Sequence, residues 1–288
     1  MLHSMTGFAR HTSESSLGVL TCELRAVNHR YLDVQFRLPE ELRPGEPDLR
    51  QVVGNAIRRG KVDCTLHFRR GSGVARPLRL NRSLIEQIAA AGREVAKLVP
   101  EAGNADPLDV LRWPGVIEEA EMAMEPLFEE ARLALDAALG ALLEMRASEG
   151  RRIAELIDSR CGEILAIARS VRVRMPAVLE AVRLRQQERL ARLDVQADPA
   201  RLEIELALVA QKLDVEEELD RLEGHVSEIR RALVGEEPVG RRLDFLMQEL
   251  NREANTLGSK SADAETTRAA VDLKVLIEQM REQVQNVE

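Results

Sequence analysis

Glu249 and Glu253 stand four residues apart in GRRLDFLMQELNREANTLGSKS, the stretch from Gly240 to Ser261. On a helix that spacing puts both carboxylates on one flank, a turn apart. Leu243, Met247, Leu250, Ala254 and Leu257 form the apolar face of the same helix, and Gln248, Asn251 and Asn255 share its other flank. The pattern predicts a helix from about Arg241 that stops at Gly258, where glycine accepts the left-handed conformation found past helix ends. Carboxylates and amides in rows along the margins of a buried stripe are what the lining of a cleft requires.

A second acidic segment, EIELALVAQKLDVEEELDRLEGH from Glu203 to His225, answers the first. Read as one helix, it gathers Glu203, Asp214, Glu218, Arg221 and His225 within roughly 60° of one another at 100° per residue. Ile204, Leu208, Val215, Leu219 and Leu222 supply the packing face. Asp214 and Glu218 then form a second carboxylate pair at i,i+4. Like charges so placed cost about 0.2–0.5 kcal/mol on an isolated helix, which something must offset. Solvated arginines are one candidate, with Arg221 near Glu218 and Arg252 near Glu249. A divalent cation is the other, held by carboxylate oxygens and the imidazole of His225. That mix of donors suits manganese or magnesium better than zinc.

These segments need a scaffold that brings them together, and 288 residues can bury a large core. In the first 70 residues, Gly18–Val27 and Tyr31–Leu38 read as strands around an Asn28–Arg30 turn. A helix follows over Glu41–Arg58, then a strand in which Val62, Cys64, Leu66 and Phe68 alternate. Antiparallel pairing is expected. Asn81 caps a helix to Val99, Pro100–Pro107 reads as a linker, and Pro114–Gly115 marks a turn. From Pro126 to Val173 there is no proline, which predicts a long helix, bent near Gly140 or Gly150, before another from Pro176 to about Leu193. Asp198–Pro199 caps the acidic helix, and Asp263–Val287 is helical again. The expected class is α+β: a small antiparallel-sheet domain (1–120), long middle helices (121–200) and a mainly α-helical C-terminal domain (201–288) carrying the acidic site.

The net charge of −8 argues against a nucleic-acid partner until its distribution is considered. Residues 1–100 hold 16 Lys and Arg against 10 Asp and Glu, and the remainder holds 25 against 39. Either a phosphate-binding surface beside a carboxylate-rich one or a contact between oppositely charged parts accounts for this. No run approaches the ~20 apolar residues of a membrane span, and the N-terminus lacks the form of a signal peptide. Cys22, Cys64 and Cys161 lie far apart without metal spacing, which predicts reduced, buried thiols in the cytoplasm. Aromatic residues make up only 2%, so helices pack through aliphatic side chains, and a symmetric oligomer is expected to cover them.

SMTGFAR (Ser4–Arg10), ELRAVNHRYLD (Glu23–Asp33), RGKVD (Arg59–Asp63), DVLRWPGV (Asp109–Val116), LDRLEGHV (Leu219–Val226), the Gly240–Ser261 stretch and LKVLIEQMREQVQNVE (Leu273–Glu288) together resemble the YicC/YloC family of bacterial proteins. The resemblance covers nearly the whole chain. It implies a cytoplasmic endoribonuclease that needs a divalent metal, manganese first, and assembles as a hexamer clamping RNA, largely single-stranded. Asp214, Glu218, Glu249 and Glu253 would then be the metal ligand pool, joined by Glu203, with His225 as ligand or general acid/base. Glu218, Glu249, Glu253 and His225 carry the catalytic expectation. Arg25, Arg30, Lys61, Arg221, Arg241, Arg242, Arg252 and Lys260 would contact backbone phosphates, and Asn28 or Tyr31 an unpaired base. Two alternatives stand beside this: a non-enzymatic RNA-binding adaptor, and a metal-independent ribonuclease using His29 and His225.

Overall fold

Alternation of apolar and polar residues builds the N-terminal sheet. The computed structural model describes residues 2–71, 79–99, 106–118, 124–192, 199–235 and 239–288. Strands β1 (Gly7–Glu14), β2 (Gly18–Val27), β3 (Leu32–Arg37) and β4 (Gly60–Arg70) lie in the order β1-β2-β4-β3. The first three in that order pair antiparallel, but β3 runs parallel to β4, with Val34 opposite Val62. The sheet is therefore mixed rather than wholly antiparallel, and Asn28–Arg30 is no hairpin turn because β4 lies between β2 and β3. A parallel pair needs a crossover. A 3₁₀ turn (Glu40–Gly45) and helix α1 (Glu46–Ala56) provide it, in place of one helix over Glu41–Arg58.

Leu20, Cys22 and Leu24 of β2 and Val62, Cys64 and Leu66 of β4 form the buried face. All three cysteines are free and buried. The Cys64 thiol is pushed far above its ordinary value by its hydrogen bond to Cys22 and by burial. Burial pushes Cys161 up to about 11. Thiols held protonated in this way are packing groups, not nucleophiles.

A small unit follows the sheet. Asn81 caps α2 (Arg82–Leu98) by accepting from the Leu84 amide at 3.0 Å. After α3 (Pro107–Arg112), Pro114 and Gly115 (φ 84°) make the expected turn, closed by the Val116 N–H on the Trp113 carbonyl at 3.1 Å. The short strands β5 (Arg79–Leu80) and β6 (Ile117–Glu118) pair across it. Residues Pro100–Ala105 of the expected linker, the Asp198 cap and Leu193 lie outside the described residues.

Helix α4 (Met124–Arg192) is a single element of 69 residues, roughly 100 Å at 1.5 Å per residue. It continues through Pro176, where a break was expected. Pro176 is exposed, so water can satisfy the carbonyl that its missing N–H leaves free. The helix serves two cores. Leu127, Leu135 and Leu142 cover the sheet. Ile153, Ile157, Ile164 and Val171 pack against the C-terminal helices α6 (Glu216–Val234), α7 (Gly240–Lys260) and α8 (Ala264–Val284).

The predicted acidic helix is split. Helix α5 (Pro199–Leu213) ends before Asp214, whose side chain caps α6 by accepting from the Glu216 amide at 3.0 Å. Asp214 and Glu218 therefore do not face each other along a continuous helix. Helix α7 also runs past Gly258. That glycine faces α8, where a methyl group on it would lie in ordinary contact, 3.4 Å from Ala270. No helix among the described residues is long and apolar enough to cross a membrane.

The chain's two ends are tied together on α4. His3 and Glu288 exchange backbone hydrogen bonds at 3.0 and 2.9 Å, and buried Arg146 donates to the Ser4 carbonyl (2.6 Å) and to the Glu288 carboxylate (2.5 Å). Gly150 makes room for this strap rather than for a bend, since a methyl group there would lie 1.9 Å from the Leu2 carbonyl oxygen. Gly150→Ala should cost about 1–3 kcal/mol in urea unfolding. Gly140→Ala, with nothing within 4 Å, should be neutral or stabilising by up to about 1 kcal/mol.

Asp263 caps α8 and pairs with Arg174 at 2.7 Å. Burial alone would raise its pKa, but hydrogen bonds from Thr266 and Arg174 outweigh that and hold it below 3.8. Its contribution to stability is therefore complete above the unfolded-state value and is lost as pH falls through the lower folded-state value. Asp263→Asn keeps the cap oxygen and removes the charge. It should flatten that part of the acid dependence when urea midpoints are compared at neutral and acid pH.

Candidate metal centre

Helices α6 and α7 cross in opposite directions, as their contacts show: Glu218 meets Lys260, Arg221 meets Glu253, and His225 meets Glu249 and Glu253. Each helix buries an apolar stripe in the shared core, α6 against α4 and α7, and α7 against α6 and α8. On α6 this is Leu219, Leu222, Val226 and Ile229, and on α7 Leu243, Met247, Leu250, Ala254 and Leu257, as the spacing predicted. The polar residues bordering the two stripes are thereby pressed into one seam.

At one point in the seam, ligand atoms of His225, Glu249 and Glu253 all lie within 4.8 Å of one another. Glu253 is 3% exposed, and the other two are half-buried. A buried carboxylate needs a partner to repay its lost hydration. The ion-pair partner of Glu253 among the described residues is Arg221, whose Nη1 stands 3.6 Å away. Arg221 also pairs with Glu217, so it offsets the two glutamates only in part. Helix α6 continues to Val234. His225 is consequently not a helix-end cation, and it faces carboxylates instead.

Farther along the seam, Glu218 is 5% exposed. Its Oε1 accepts from Lys260 Nζ at 2.8 Å, and Lys260 also donates to the Asp214 carbonyl at 2.8 Å. The second oxygen, Oε2, is buried without a hydrogen-bond partner. Glu218 thus stands in the same seam as the partner of a lysine. Asp214 turns its carboxylate to a backbone amide, and Glu203, on α5, pairs with Arg183 of α4 at 3.0 Å. The structure brings together three of the expected ligands, holds a fourth in the same seam and engages Asp214 and Glu203 elsewhere.

The expected RNA contacts divide between two regions. Arg25 is exposed on the outer sheet face opposite Asp63, and half-buried Lys61 sits between Val27 and Asp33. Asn28 donates to the Gln285 carbonyl at 2.7 Å, which ties the sheet to the end of α8. Tyr31 is 64% exposed, with the Arg30 guanidinium 5.2 Å from its ring centroid. On α7, Arg242 pairs with Glu228 at 2.6 Å. Arg241 and Arg252 are exposed with no side-chain partner among the described residues. His29 contacts the Tyr31 carbonyl in its own loop at 2.9 Å, so the two histidines of the metal-independent alternative belong to separate clusters. Sequence spacing gave no sign of the Glu218–Lys260 pair, because its members are on different helices.

The chain matches the family described as "Endoribonuclease YicC-like, N-terminal region" over residues 2–155, and "Endoribonuclease YicC-like, C-terminal" over residues 171–288. It is 42% identical over 288 residues to a probable endoribonuclease YicC of Haemophilus influenzae, covering 100% of both chains. A probable endoribonuclease YicC of Clostridioides difficile is 31% identical over 295 residues, again covering 100% of both.

Removing the partner of a buried carboxylate costs more than removing both. Lys260→Met should lower stability by about 3 kcal/mol, and Lys260→Met combined with Glu218→Leu should recover most of it. Urea midpoints of the two variants check this.

Proposed function

The chain belongs to the family of YicC-like endoribonucleases, and from that premise we propose that it is a metal-dependent endoribonuclease acting on largely single-stranded RNA. The observation that carries the metal assignment is the convergence of His225, Glu249 and Glu253, with one carboxylate buried and, among the described residues, an arginine shared with Glu217 paired to it. One imidazole nitrogen and two carboxylates fit manganese, with magnesium second. When bound, such an ion lowers the pKa of a coordinated water and polarises a phosphoryl oxygen.

The chain's own residues have distinct tasks in this reading. Glu249 and Glu253 hold the cation from α7, and His225 holds it from α6. If His225 is not a ligand, its imidazole would instead serve as the general acid or base beside the cation. Half-exposed Arg221 is close enough to Glu253 to meet a phosphate at the same point. Lys260 is fixed by two acceptors and keeps a third N–H for a second phosphate.

We propose a homo-oligomer, hexameric as the resemblance implies, working as a ring or clamp. Val95, Leu98 and Val99 around the end of α2, with Leu108 and Trp113, leave an apolar surface of the kind that a second copy would cover. A cytoplasmic location accompanies this, in keeping with three free thiols.

The test is cleavage of single-stranded RNA with manganese and with chelator, using wild type and Glu249→Gln/Glu253→Gln. Cleavage should require the metal and fall by more than about 100-fold in the variant, while RNA binding by fluorescence anisotropy survives. Persistence in chelator would rule out the metal mechanism. Absence of cleavage with every divalent ion would favour the adaptor.

A further inference from the structure

Met247 floors a groove of about 340 Å³ between α7 and α8, lined by Gln248, Asn251, Arg252, Asn255, Thr256 and Arg281. It lies on the opposite flank of α7 from the triad. Three carboxamides on one wall each offer donors and acceptors. Their existing bonds leave much of that capacity open. Asn255 donates to Asn251 at 3.2 Å, and Gln248 donates to Asp244 at 2.9 Å. The Asn251 amide and the Asn255 and Gln248 carbonyl oxygens have no protein partner among the described residues.

Two guanidiniums border these amides and are weakly engaged. Arg252 has no side-chain partner among the described residues. Arg281 has a buried Nε without a hydrogen-bond acceptor, and its carboxylate neighbours, Asp244 and Glu278, stand at 3.6 and 3.8 Å. Those distances exceed a hydrogen bond. At 100° per residue, Arg252 and Thr256 fall within roughly 60° of Glu249 around α7. The groove and the triad therefore flank one exposed face of the same helix.

We propose that this groove reads an unpaired base of the RNA strand beside the phosphate that is cut, which rests on the endoribonuclease reading above. The carboxamides meet the base edge, where matching donors to acceptors distinguishes one base from another. Arg252 and Arg281 stack on the base or grip the adjoining phosphate. A strand crossing α7 then presents one nucleotide to the groove and its neighbour to the triad. Gln248, Asn251 and Asn255 are specificity-determining residues in this assignment, and none of them touches the reacting atoms.

The experiment measures binding of fluorescein-labelled oligo(A), oligo(C) and oligo(U) without divalent metal, so that no cleavage interferes. Wild type should separate the best from the worst oligomer by about tenfold. Asn251→Ala/Asn255→Ala should reduce that ratio to about twofold, and Asn251→Asp, of equal size, should change the order of preference. Glu249→Gln should leave the ratio intact. Equal wild-type affinities, or an unchanged ratio in the double variant, would overturn the proposal. So would a change confined to native mass, which marks the groove as a subunit contact. Failure of the endoribonuclease reading shows separately, as wild type that keeps base-dependent binding but cuts nothing when manganese is added.

Discussion

Two carboxylates one helical turn apart, one of them sealed from water, set the main constraint on this molecule. With oxygens no more than 4.8 Å apart, ionised Glu249 and Glu253 repel by up to about 3 kcal/mol at an effective dielectric of 20, less where water screens half-buried Glu249. Arg221 repays part of this, but it is half-exposed and shared with Glu217, and such pairs contribute little. A chain selected only for stability would have an apolar residue at position 253. Retaining the acid there makes sense if a more compact, doubly charged partner occupies the seam during function.

Holding that seam closed takes a rigid backing, and α4 supplies it. Its middle third packs against α6 and α8 beneath the acidic side chains, while its first third seals the sheet. One helix therefore couples the basic N-terminal third to the acidic C-terminal bundle. Arg146 and the paired chain ends, together with the bond from Asn28 to Gln285, add a second tie between the two. Under the proposed function, an RNA strand would have two regions to touch on one chain: the exposed sheet loop around Tyr31 and the α6–α7 seam.

Periodicity made the faces of α7 legible in the sequence. Its five apolar residues are all buried, and Glu249 and Glu253 border them as spacing required. His225 was legible for the same reason, on the matching margin of α6. Asp214 was not, because i,i+4 counting runs straight through a helix break that its own side chain creates by capping Glu216. The Lys260–Glu218 pair was not legible either, since nothing in linear order ties the two across two helices. Gly258 and Gly150 read as a stop and a bend. At Gly150 another segment comes too close for a side chain, while α7 simply runs on through Gly258 to Lys260. The parallel partner of β3 depended on a crossover whose hand and length no local pattern encodes.

The acidic seam is probed most simply by a crystal soaked in manganese and measured for anomalous scattering. One strong peak is expected about 2.2 Å from a ring nitrogen of His225 and from an oxygen of each of Glu249 and Glu253. A seam with no peak, Arg221 closed onto Glu253 and manganese bound elsewhere, would refute the metal assignment.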